Sequence, residues 1–85
     1  MSQLDKAKER IRSKPKDYTY TEARRLLYKL GFIEKSKGKT SGSRVGFYRE
    51  ADEKVILLHK PHPGDEMDPG AVKDLNEFLS DLGEI

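Results

Sequence analysis

The stretch RVGFYREADEKVILLH, Arg44 to His59, decides the fold. In its first half Val45 and Phe47 alternate with Arg44, Gly46 and Tyr48. That period of two is the mark of a strand with one face in a core. EADEK is a turn by composition, and KVILLH after it reads as another strand, nearly continuous in apolar character. Short connections of this kind favour antiparallel neighbours.

Working backward, residues 38–43 form a loop of small and basic residues, and FIEKS before it reads as a short first strand. TYTEARRLLYKLGF is a helix from about Tyr20 to Leu30. Thr19 and Glu22 have capping-box spacing, Ala23, Leu26, Leu27 and Leu30 form one apolar stripe, and Gly31 supplies a left-handed stop. Working forward, KPHPGDEMD is expected to be irregular, because Pro61 and Pro63 cannot donate to a ladder. Asp68 as N-cap and Pro69 at the first helical position open a last helix with Val72, Leu75, Phe78, Leu79 and Leu82 on one face and Gly83 past its end. Met67 and this stripe are expected to be core. Helix, three strands and helix make an α+β two-layer sandwich, a three-stranded antiparallel sheet with helices on one face. Residues 1–17 form a basic N-terminal extension or a short extra helix, with Leu4, Ala7 and Ile11 at helical spacing and a halt at Pro15, and residues 18–85 form the domain.

Composition narrows the function. Eighty-five residues allow one domain with a modest core. The absence of cysteine excludes disulfide frameworks and thiolate metal sites, and with no leader or long apolar run in view a cytoplasmic, non-membrane protein is expected. The net charge of +2 conceals a division: residues 1–50 carry 14 basic and 6 acidic side chains, residues 51–85 carry 3 and 9. A basic half of this kind is an expected surface for a polyanion. Lys35, Lys37, Lys39, Arg44, Arg49 and Lys60 are expected around the first two strands and the loop, with Tyr48 as a ring for stacking or ribose contact. Gly42 and Ser43 are small enough to let a phosphate approach the backbone beside Arg44. His59 and His62 form an H-x-x-H pair, but Pro61 between them makes a metal site a poor reading, and no cofactor is expected.

Three patches resemble the HicA (YcfA-like) family of bacterial toxins. They are LLYKLGF (residues 26–32), SGSR (41–44) and HPGDEMDPGAVKDL (62–75). The resemblance covers roughly residues 20–82. It implies the double-stranded-RNA-binding-domain fold, an mRNA interferase (endoribonuclease) activity and neutralisation by a HicB-like antitoxin. Family members carry a catalytic histidine directly after the Gly-Ser pair, whereas this chain has Arg44 after Gly42 and Ser43. His62 matches the family's second histidine. The catalytic expectation is therefore metal-independent cleavage, with His62 moving a proton and Arg44 clamping negative charge, since a guanidinium cannot act as a base. The alternative is a non-catalytic module that binds RNA or protein. Oligomeric state is not legible in the sequence.

Overall fold

The computed structural model describes residues 3–35, 44–61 and 64–85. These form α1 (Gln3–Arg12), α2 (Tyr20–Lys29), β1 (Ile33–Glu34), β2 (Arg44–Arg49), β3 (Lys54–His59) and α3 (Pro69–Asp81). The architecture is α+β, as expected.

Local chemistry sets the helix boundaries. At the start of α2 the Glu22 N–H donates to Thr19 Oγ1 (3.1 Å), and the Thr19 N–H donates to Glu22 Oε2 (2.9 Å). Two of the N–H groups that a helix start leaves unpaired are thus satisfied reciprocally. Gly31, at φ +96°, turns the chain out of α2 in a conformation that a Cβ would strain. At α3, Asp68 Oδ2 accepts from the Gly70 N–H (2.9 Å), and Pro69 occupies the first turn.

The three strands pair antiparallel in the order β1-β2-β3. A four-residue turn, 50–53, sets the β2–β3 register from Arg49↔Lys54 to Arg44↔His59. Val45, Phe47 and Leu58 point to the side covered by helices and are 7%, 0% and 3% exposed. The Phe47 ring meets Tyr20 and Tyr28 at centroid distances of 6.4 and 6.3 Å, while Phe32 meets Phe78 at 5.8 Å. Leu26, Leu27, Met67, Val72, Leu75 and Leu79 complete this core.

In three places the tertiary structure departs from or extends the sequence reading. KVILLH looked apolar throughout, but only Leu58 is fully buried; Val55 and Leu57 face outward and are more than half exposed. The segment before α3, irregular by composition, forms a bridge at Thr19↔Glu66. There the Tyr20 N–H donates to the Asp65 carbonyl (2.7 Å) and the Met67 N–H to the Tyr18 carbonyl (2.8 Å), tying the approaches to α2 and α3 together. Helix α1 is a packed element, with Ile11 fully buried and its carbonyl accepting from the buried Asn76 Nδ2 of α3 (2.9 Å). Arg10 bonds Glu22 (2.7 Å) and Asp17 (3.1 Å), which fixes α1 against the start of α2.

Candidate nucleic-acid interface

Because side chains alternate along a strand, burying Val45 and Phe47 sends Arg44, Gly46 and Tyr48 to the opposite, uncovered face. Antiparallel register then places Arg44 opposite His59, Gly46 opposite Leu57, and Tyr48 between Ile33 and Val55. Arg44 and His59 are both exposed. Directly opposed side chains on one face have Cβ atoms roughly 5 Å apart, within reach of one phosphate group.

The centre of this face is apolar. Ile33, Val55 and Leu57 are 49%, 55% and 58% exposed, and Tyr48 is half-buried among them. Gly46 keeps the middle flat, since a Cβ there would come within 3.3 Å of the Leu57 side chain. Cations border it. Lys35 is anchored beside β2 by its N–H to the Gly46 carbonyl (2.7 Å), and Lys60 follows His59; both are exposed. A cleft of ≈ 420 Å³ adjoins the end of β3, lined by His59, Pro61, Glu66, Asp68 and Ala71 among others. His59 is therefore Arg44's partner across the strands and also part of the wall of this cleft.

The structure thus brings Lys35, Arg44, Tyr48 and Lys60 to one face of the sheet or its border, and it uses Arg49 elsewhere. The Arg49 side chain is 12% exposed and donates to Asp52 (2.9 and 2.7 Å), to Glu84 (2.8 Å) and to the Leu30 carbonyl (3.1 Å). Its guanidinium also lies 4.8 Å from the Phe32 ring centroid. The hydrogen bonds to Asp52 and then Glu84 hold its pKa above the ordinary arginine value. Lys37, Lys39, Gly42, Ser43 and His62 lie outside the described residues.

The opposition of Arg44 and His59 is the feature that sequence reasoning missed. Its signal was present in the length of the turn, because four residues between Arg49 and Lys54 fix every pair further down the hairpin. In the sequence alone His59 figures only as a metal partner for His62.

A family model for the HicA toxin of bacterial toxin-antitoxin systems matches residues 20–83. This chain belongs to the HicA toxin family. The match starts at the first residue of α2 and ends just beyond α3, so α1 lies outside the matched segment while its Ile11 shares the HicA domain's core. No curated protein and no solved structure gives a significant match to this HicA-family chain. Among its described residues, no helix is long and apolar enough to cross a membrane.

Proposed function

We propose that this HicA-family chain acts in the cytoplasm as the RNA-directed toxin of its pair, an mRNA interferase held in check by a HicB-type antitoxin. The observation that carries the reading is the composition of one sheet face: Arg44 opposite His59, exposed Lys35 and Lys60 alongside, and Tyr48 in the middle. Backbone-directed RNA binding requires cations that track phosphates and a ring that tolerates any base. Lys37, Lys39, Gly42 and Ser43, in the segment leading into Arg44, extend the same surface in the sequence-based reading.

In cleavage, Arg44 clamps the phosphodiester through its planar fork of N–H donors and stabilises charge that develops on the phosphoryl oxygens. Attack of the ribose 2′-hydroxyl gives a 2′,3′-cyclic phosphate without a metal ion. In the sequence-based assignment, His62 exchanges the proton.

The exposed stripe Ile33, Val55 and Leu57 favours a protein partner on this same face, because contiguous exposed apolar side chains mark interaction surfaces. An antitoxin that seats on it covers Arg44 and Tyr48 together and excludes RNA by occupying its surface.

The test is incubation of purified protein with labelled mRNA in EDTA, comparing wild type with Arg44→Ala, Arg44→His and His62→Ala. Cleavage by wild type that falls with Arg44→Ala supports the interferase reading. Loss of cleavage on adding EDTA overturns the metal-independent mechanism. If wild type binds RNA without cutting it, the chain is a binding module, and a gain of cleavage with Arg44→His would locate the missing group.

A further inference from the structure

The reaction needs a group that takes up a proton beside the phosphate, and Arg44 cannot be that group because a guanidinium stays protonated in proteins. The structure assigns this part to His59: we propose that Arg44 and His59, paired across β2 and β3, form one phosphodiester site in which His59 receives the 2′-hydroxyl proton. The inference rests on the RNA reading above and moves the proton-transfer role from His62 to His59.

Three observations carry it. The register is direct, Arg44↔His59, and the alternation that buries Val45 and Leu58 turns both side chains to the open face. Both residues are exposed, so a polymer backbone reaches them without rearrangement of the fold. His59 also lines the cleft at the start of α3, where Glu66 and Asp68 lie. Of these carboxylates Asp68 is engaged by the Gly70 N–H, while Glu66 is exposed.

In the step itself, the 2′-oxygen bonds to phosphorus as its proton passes to the neutral His59 imidazole. The bond from phosphorus to the 5′-oxygen breaks, and that oxygen leaves with a proton drawn from solvent water. His59 then returns its proton to solvent, so neither charge nor protons accumulate over a turnover. Arg44 binds the two non-bridging oxygens throughout.

The experiment has two readouts on the full chain. In the first, single-turnover cleavage of labelled mRNA in EDTA is compared for wild type, His59→Gln, His59→Ala and His62→Gln. The expected loss for either His59 variant is about 10²–10⁴-fold, the usual range for a positioned proton-transfer group. Added imidazole should restore part of the rate to His59→Ala, which a merely structural role would not allow. An unchanged rate in His59→Gln alongside a large loss in His62→Gln overturns the assignment.

The second readout is independent of cleavage. A 2′-O-methyl RNA oligonucleotide, which cannot be cut, is titrated while the histidine ring protons are followed by NMR in wild type and Arg44→Ala. The expected result is a shift of the His59 ring signals in wild type that is reduced in Arg44→Ala. Saturable binding that leaves the His59 ring unmoved overturns this inference and spares the RNA reading. Absence of any binding overturns both.

Discussion

The two faces of the sheet are cut from the same strands yet obey opposite rules. On the inner face Val45, Phe47 and Leu58 are nearly without solvent contact, and helices cover them. On the outer face, one residue away in each case, Gly46, Tyr48 and Leu57 meet water, and Arg44 stands opposite His59. A small domain cannot cover both faces of its sheet with its own chain, so the uncovered one is where hydrophobic side chains signal a partner instead of a core. Val55 and Leu57 contribute less to the fold than their chemistry suggests, and in the reading above they contribute more to recognition.

Substitution on each side breaks or sharpens that contrast. Phe47→Ala removes the central inner ring and should cost about 3–5 kcal/mol of unfolding free energy in a urea melt, the usual range for a buried phenylalanine. An effect below about 1 kcal/mol would mean that the inner face is not the core. Arg49→Ala should cost about 1–3 kcal/mol, because Glu84 and the Leu30 carbonyl lose a charged donor. RNA affinity of the folded variant should stay unchanged, and a loss of affinity without loss of stability would return Arg49 to the RNA surface.

Arg44→Ala should behave in the reverse manner. Thermal stability should hold, RNA affinity should fall, and the slope of log affinity against log salt should drop by about 1, the amount expected for one lost phosphate contact. Acid pH tests the tie between α1 and α2. The hydrogen bond from Arg10 holds the Glu22 carboxyl below its ordinary pKa, with further help from the Thr19 N–H. A depressed folded pKa means that this stabilisation is present above the unfolded value, about 4.3, and is lost as pH falls through the folded one. Glu22→Gln should therefore flatten the acid limb of the stability curve, followed by circular dichroism, and lower stability at neutral pH. The smallest stability effect belongs to the outer face: Leu57→Ser should change unfolding free energy by no more than about 0.5 kcal/mol. Its consequence should appear instead in weaker antitoxin binding, measured by calorimetry.

A rise in pH acts on the inner side in the opposite sense. Burial pushes the Tyr20 phenol up to about 12, and burial also raises Tyr18. Both favour the neutral ring when folded, so their contribution is intact below the unfolded value near 10 and is lost as pH climbs toward the folded value.

Most elements were legible because their signals are local. The Thr19 and Glu22 spacing, Gly31, the Asp68-Pro69 start and Gly83 each act within a few residues and need no distant partner. The alternation of Val45 and Phe47 identified the inner face of β2, and the patches LLYKLGF and HPGDEMDPGAVKDL identified the family. The part of the candidate site legible in the sequence was Arg44, Tyr48 and the surrounding lysines as residue types. How they are grouped was not.

Tertiary structure decided what local pattern could not encode. In KVILLH four successive apolar residues look alike, and only the covering helices distinguish Leu58 from Val55 and Leu57. Arg49 read as one more surface cation until the fold brought Glu84, 35 residues away, to its guanidinium. Ile11 read as part of a basic extension until α3 supplied Asn76 to its carbonyl, 65 residues away. The meeting of Arg44 with His59 has the same origin, since the strand sets each side chain's face but the hairpin register sets what lies opposite it. Sequence alone therefore determined the elements and the family, whereas burial, ion pairing and the make-up of the open face came from contacts between residues far apart in the chain.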